Sequence, residues 1–415
     1  MSVFSLIKGV DWQFWDSFLK MSKRDKGLSV AFLVVFAPLT YKLLAPAFIL
    51  LGLSDFTYLI NPILLFSGLI IAFSGFIRNV HLFEISLFLL FALTVSVSTG
   101  FYLQSAKWVN DNYYYIVYGV AAYYFIGLAL DYKRNEQILL FVARMGVCIQ
   151  IFWQACLLLG LVSDYADTEM GEQMEAAYGF LFPVFFLFIR AFEENSMLDK
   201  LFAAISVPLL FFMGARGPVM VFVFFSAGYF LLLKKFKKDN KRKKSLLVLI
   251  FVIIFVFLNQ IATFFEGIAS QIGFSTRIFT SITAGEMTDL ENSSERDVIY
   301  ALILDAILND ESGFGYGFGG DRLFTPNEGY AHNIALEMLC EFGYIGGTIV
   351  LLCLIFFWIK CFLKVRKTSS RLFWYIMFFQ GVMSLMFSMS WLSYPIFFVF
   401  MGYCIFVMRT PRYRL

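Results

Sequence analysis

Residues 217–233 read Gly217-Pro218-Val219-Met220-Val221-Phe222-Val223-Phe224-Phe225-Ser226-Ala227-Gly228-Tyr229-Phe230-Leu231-Leu232-Leu233, a run without a charge. It stops at Lys234-Lys235-Phe236-Lys237-Lys238-Asp239-Asn240-Lys241-Arg242-Lys243-Lys244, and apolar residues resume over 245–264. A backbone surrounded by hydrocarbon must satisfy its own N–H and C=O groups, and an α-helix does this within one segment. At 1.5 Å per residue, about 20 residues cross a core about 30 Å thick. The basic block between the two runs is too charged to enter that core, and short basic loops stay on the cytoplasmic side. Helix, membrane and orientation all follow from this one stretch.

Runs of similar length recur at 28–52, 55–77, 82–99, 112–130, 137–161, 176–193, 199–213, 332–359, 371–389 and 392–408. With 216–233 and 245–264 they make about twelve spans. Pro38, Lys42 and Pro46 predict a kink or break in the first. Only Gly214-Ala215 separates 199–213 from 216–233. Counting outward from the basic block, Lys23-Arg24, Lys133-Arg134, Lys364-Val365-Arg366-Lys367 and the tail Arg409, Arg412 and Arg414 all fall on the cytoplasmic side. The loop 163–177, with Asp164, Asp167, Glu169, Glu172 and Glu175 and no base, falls outside. Twelve spans with both termini cytoplasmic satisfy the rule at every loop. The expected organisation is nine spans over 1–264, a large outer loop over 265–331, and three spans over 332–415.

The composition agrees. Of 415 residues 60% are hydrophobic, 15% are charged and 53 are Phe, with a mean hydropathy of +0.75. Soluble domains carry about 25% charged residues. Disordered, collagen-like and disulfide-stapled secreted chains are excluded by the same figures. The six cysteines lie in or beside spans without metal-ligand spacing. No metal, cofactor or nucleic-acid partner is expected.

The loop 265–331 is far longer than any other connection, and loops beyond about 12–15 residues are usually functional or disordered. Here Ser294-Glu295-Arg296-Asp297 resembles a capping box. Ile299, Leu302, Ile303, Ala306 and Ile307 then keep helical spacing on one face. Asn309-Asp310 closes that helix, and Gly313-Phe314-Gly315-Tyr316-Gly317-Phe318-Gly319-Gly320 follows. Such a glycine cluster can bring backbone donors to a phosphate, although it lacks the P-loop order. Arg277, Arg296 and Arg322 are the loop's only bases against eleven acids. That balance suits individually placed contacts to a compact anion, not a diffuse basic patch. Arg296 gains from the free N–H groups at its helix start.

Two further residues stand out on this side. Arg216 sits at the outer end of its span, where an arginine snorkels, pairs or holds an anionic ligand through its planar fork of donors. His332 is the only outer histidine, because His81 falls in a cytoplasmic turn. A histidine at a helix N-terminus favours the neutral ring, which can accept a proton or simply cap the helix. Asn333, Glu337 and Glu341 recur every four residues and share a stripe, for which structural roles are expected of the glutamates.

His332-Asn333, nine residues, then Gly343-Tyr344-Ile345-Gly346 resembles the HN-x9-GxxG signature of the O-antigen ligase and O-antigen polymerase superfamily. Met213-Gly214-Ala215-Arg216-Gly217 is similar to a second arginine motif of that family, and the Arg296 helix to its large outer loop. The resemblance implies a metal-independent glycosyltransferase of the GT-C type in the bacterial cytoplasmic membrane. Its donor and acceptor would be undecaprenyl-diphosphate-linked glycans, with a chain-length regulator as an added partner. Carried over, His332 matches the essential histidine, and Arg216 and Arg296 match the arginines thought to hold the diphosphate. Arg322, Arg277 and Asn333 join them as expected substrate contacts. The short outer loop favours a polymerase joining repeat units. The alternatives are a ligase that moves finished glycan to lipid A-core, and a twelve-span lipid-oligosaccharide transporter.

Overall fold

A computed structural model describes residues 21–36, 41–52, 56, 59–72, 80–113, 116–117, 120–159, 170–194, 196–213, 215–233, 260, 263, 266–267, 283, 296–325 and 329–411. Among them there are helices and no strand, so the protein is an all-α polytopic membrane protein. Five described helical stretches are long and apolar enough to cross a membrane: Leu82–Phe101, Tyr132–Cys156, Ala176–Glu193, Arg216–Leu233 and Ile334–Val365. Ile60–Ile71 and Pro395–Arg409 are shorter apolar helices. Apart from Gln260 and Thr263, the expected run 245–264 lies outside the described residues.

In chain order the first helices are α1 (Lys23–Phe36), α2 (Tyr41–Leu50), α3 (Ile60–Ile71), α4 (Leu82–Phe101), α5 (Leu103–Asp111) and α6 (Val120–Leu128). Then come α7 (Tyr132–Leu158), α8 (Met170–Gly179), α9 (Leu181–Glu193), α10 (Met197–Phe212) and α11 (Arg216–Gly228). The remainder are α12 (Arg296–Leu308), α13 (Ile334–Val365), α14 (Ser370–Phe378), α15 (Ser384–Phe387) and α16 (Pro395–Arg409). The expected first span forms α1 and α2, with Pro46 inside α2.

One compact unit comprises Met1–Asn79, Asp131–Phe222 and Gln271–Ser275. Its apolar packing includes Phe36 stacked on Phe182 at 4.3 Å. It also buries charge. Asp199, on the first turn of α10, accepts hydrogen bonds from Arg144 at 3.1 and 2.6 Å and from Arg190 at 3.1 Å. Arg190 in turn pairs with Glu136 at 2.7 Å. Removing ions from water costs several kcal/mol each unless they are paired and hydrogen-bonded. Here one aspartate ties α7, α9 and α10 together.

The other unit comprises Val80–Leu130, Val223–Ser270 and Thr276–Leu415. Glycines let α6 and α16 cross at backbone distance: a Cβ on Gly127 would strike the Val399 carbonyl, and one on Gly402 the Tyr124 carbonyl. Close approach through small residues is how helices associate where lipid removes the hydrophobic driving force. At the start of α4 the buried Glu84 accepts from the His81 backbone N–H at 2.7 Å and pairs with Arg409 of α16. This unit holds every described residue of the loop 265–331.

Candidate active site

The predicted amphipathic helix is α12. Ile299, Ile303 and Ile307 are buried with Ala331 and Cys340, and Tyr316, Phe324, Leu336 and Leu339 pack against them. Leu302, expected on the same face, is exposed. Each buried isoleucine is worth roughly 1.5–3 kcal/mol, which fixes α12 against the first turns of α13. The helix begins at Arg296, and the expected Ser294 cap lies outside the described residues. Arg296 donates to the Phe387 carbonyl at 2.9 Å and to Ser388 Oγ at 3.4 Å.

The helix expected to begin at His332 begins instead at Ile334. Asn333 is its N-cap: its side-chain oxygen accepts from the backbone N–H of Ala335 at 2.9 Å and of Leu336 at 3.4 Å. Asparagine is among the best caps, so the side chain expected to touch substrate is committed to the helix end. His332 therefore precedes the membrane-spanning helix and does not cap it. It is the one non-glycine with positive φ among the described residues, at +52°. Its Nδ1 lies 2.8 Å from the Ser388 carbonyl, and its ring 4.2 Å from that of Tyr330. Arg296 and His332 thus converge on the dipeptide Phe387-Ser388. Burial pushes the His332 pKa below its ordinary value; the Ser388 carbonyl opposes this and the nearby Arg296 cation adds to it.

The glycine cluster has a different task from the one expected. Gly343 interrupts α13 with φ +74° and ψ 169°, a conformation essentially restricted to glycine. The kink frees carbonyls of the preceding turn. Tyr316 N–H donates to the Cys340 carbonyl and Gly317 N–H to the Glu341 carbonyl, both at 2.9 Å. A Cβ on Gly315 or Gly343 would strike the other's backbone. The remaining donors of the cluster are also spent: Gly315 on Asp310 at 2.8 Å, Phe318 on Ser98 at 3.3 Å and Gly319 on Glu341 at 2.7 Å. These N–H groups repair a broken helix and do not cradle a phosphate. The part of α13 beyond the kink, 344–365, spans about 33 Å at 1.5 Å per residue, enough for the hydrocarbon core alone.

Arg322 is placed otherwise than expected. Its guanidinium is buried, 2.9 Å from Asp321, 3.0 Å from Ser390 Oγ and 3.6 Å above the Trp108 ring. A planar cation stacked on indole and paired on its edge is already satisfied, so it shapes the site and has no free fork for a diphosphate. Around it stand three buried carboxyls, Asp321, Glu337 and Glu341, with one oxygen of each within 4.8 Å of the others. Every one of their oxygens already has a protein donor. Asp321 takes Arg322 and the Ala331 N–H at 2.8 Å. Glu337 takes the Ser390 hydroxyl and the Trp391 N–H at 3.1 Å. Glu341 takes the Gly319 N–H and the Trp391 indole N–H at 2.9 Å. The glutamates hold structure together, as their shared stripe suggested.

Arg216 opens α11, half-buried, in the first unit, whereas Arg296, Arg322, His332 and Asn333 belong to the second. Arg277 lies outside the described residues. Sequence reasoning missed the segment 388–391, whose Ser388, Ser390 and Trp391 touch nearly everything in the site. The available signal was polarity: Ser384, Ser388, Ser390 and Ser393 cluster in and around the short gap between the last two apolar runs, at the same end of the spans as His332.

An all-α polytopic protein whose polar site brings one histidine and one arginine to the same dipeptide, beside a kinked helix, is the class these features define. Comparison of families gives it a relation. The family model described as O-antigen ligase matches residues 201–351, a segment that holds Arg216, Arg277, Arg296, Arg322, His332 and Gly343 but stops short of 388–391. This segment is thus similar to the O-antigen ligase family, a likeness that points to glycosyl-transfer activity on lipid-linked glycans within a membrane. The match does not separate polymerase from ligase and lends the transporter reading no support. No curated protein and no solved structure matches the chain.

Proposed function

We propose that the protein is a polysaccharide polymerase that joins polyprenyl-diphosphate-linked oligosaccharide repeat units at the outer face of the bacterial cytoplasmic membrane. The observation that carries this reading is the convergence of Arg296 and His332 on Phe387-Ser388. An acceptor hydroxyl needs a base within hydrogen-bond reach, and a half-buried, neutral imidazole is one. The departing diphosphate needs positive charge as the C1–O bond breaks, and guanidiniums supply it as bidentate donors. In this scheme the acceptor oxygen attacks C1, its proton passes to His332, and the polyprenyl diphosphate leaves from the opposite face with inversion. Arg296 stabilises the leaving group, with Arg277 as a further contact from the loop; Arg216 is carried over as a diphosphate contact by the motif resemblance alone. Arg322 and Asn333 position these groups and do not touch substrate.

The compactness of 296–325, folded onto α13 and the turn before α16, favours a polymerase over a ligase that must also seat lipid A-core. Deleting the gene tests both. Loss of a polymerase leaves single repeat units on the acceptor. Loss of a ligase leaves bare acceptor and accumulated lipid-linked polymer. Normal surface-polysaccharide ladders in a strain carrying His332→Ala or Arg296→Ala would sink the catalytic assignment.

A further inference from the structure

The ring of His332 has two nitrogens, and only one can serve as the base. Nδ1 lies 2.8 Å from the Ser388 carbonyl. A carbonyl accepts and never donates, so Nδ1 must carry the proton of that bond and Nε2 is left with the free lone pair. The residue is held in a left-handed conformation, φ +52°, from both sides. Ala331 N–H is fixed to Asp321, and Asn333 is locked as the cap of α13. Neither neighbour selects a tautomer, because neither touches the ring nitrogens.

The carbonyl that selects it sits on an irregular segment, and such backbone keeps its place only where side chains hold it. Four do so. Arg296 grips the Phe387 carbonyl, and Arg322 reaches Ser390 Oγ at 3.0 Å. Glu337 takes the Ser390 hydroxyl and the Trp391 N–H, and Glu341 takes the Trp391 indole at 2.9 Å. We infer that the Ser388 carbonyl is the positioning group that fixes His332 as its Nδ1–H tautomer, and that Glu337 and Glu341 act as positioning residues by clamping the segment 388–391 that carries it. This rests on His332 being the base. It explains why two glutamates are spent on a short loop outside the matched family segment.

The chain has only two histidines, His81 and His332, so ring-15N-histidine labelling of the full-length protein in lipid nanodiscs gives two imidazoles. A His81→Gln variant assigns them. The expected spectrum shows His332 protonated at Nδ1 and bare at Nε2. Trp391→Phe keeps the ring but drops the indole N–H to Glu341, and Ser390→Ala removes the hydroxyl to Glu337; either shifts His332 toward an Nε2–H mixture and lowers kcat by about tenfold or more with KM little changed. An Nε2–H His332 in the parent protein, or a parent-like spectrum and kcat in both variants, overturns the inference. Activity of His332→Ala is read separately. Retained transfer there removes the base assignment, while the tautomer result still decides the positioning claim on its own.

Discussion

Two buried charge clusters invite comparison. Around Asp199, two guanidiniums meet two carboxylates, and the groups chiefly satisfy one another. Around Arg322, three carboxyls gather about one guanidinium that pairs with Asp321 and Glu337, and their other oxygens are spent on backbone, hydroxyl and indole donors of a turn and a loop. A balanced cluster is self-contained and can only fasten helices. An acid-rich cluster must recruit donors from elsewhere, and by doing so it dictates where the irregular backbone runs. The second arrangement is the one beside Arg296 and His332. Buried charge that neutralises itself fastens helices; buried charge that recruits outside donors positions the loop that Arg296 and His332 touch.

The sharpest way to separate the clusters is His332→Ala, expected to lower glycan transfer by roughly 10²–10⁴-fold while leaving the melting of purified protein unchanged. Transfer assayed with lipid-linked repeat units decides it, and a melting loss equal to that of an Asp199 variant would break the contrast. Asp199→Ala should do the reverse. It leaves Arg144 and Arg190 buried without their common partner, at a cost of about 3–5 kcal/mol, seen as a lower yield and melting temperature in detergent. Replacing both arginines by methionine as well should recover most of that loss.

Gly343→Ala should cost about 1–3 kcal/mol from backbone conformation alone, with more from the clash against Gly313 and Gly315. Gly346→Ala is a control expected to be silent, since a Cβ there meets only Phe342 at an ordinary 3.5 Å. Asn333→Ala, which removes the cap, should cost about 1 kcal/mol and lower activity by loosening the start of α13 beside His332. The pH profile supplies the smallest and most specific effect. Because burial disfavours the His332 imidazolium, transfer should persist as pH falls through 6.5 and decline only below it. An acid limb at or above 6.5 contradicts a desolvated base.

Much of this was legible from periodicity. The stripe Ile299, Ile303, Ala306 and Ile307 had its helical spacing in plain view, and α12 buries it. The helix break between Phe212 and Arg216 fell where Gly214-Ala215 interrupts the apolar run. The kink at Gly343 was not legible, because a glycine inside an apolar run looks the same whether the helix passes through it or breaks. What decides is whether another segment is present to satisfy the freed carbonyls, and that segment, 313–317, lies well upstream. The same blindness turned the glycine cluster into an expected phosphate cradle and Arg322 into an expected ligand contact. Donors and charges can be counted in a sequence, but their partners cannot.

The sequence by itself therefore determined an all-α membrane protein and the two chemical groups, His332 and Arg296, worth watching. Hydrophobic run length, helical spacing and loop charge are properties of neighbouring residues, and no long-range contact is needed to read them. Only the tertiary structure decided that both groups meet at Phe387-Ser388, that Asn333 and Arg322 are spent internally, and which nitrogen of His332 is left free. Those outcomes depend on which hydrogen-bond donor is nearest in space, and the choice is made by packing between residues far apart in the chain.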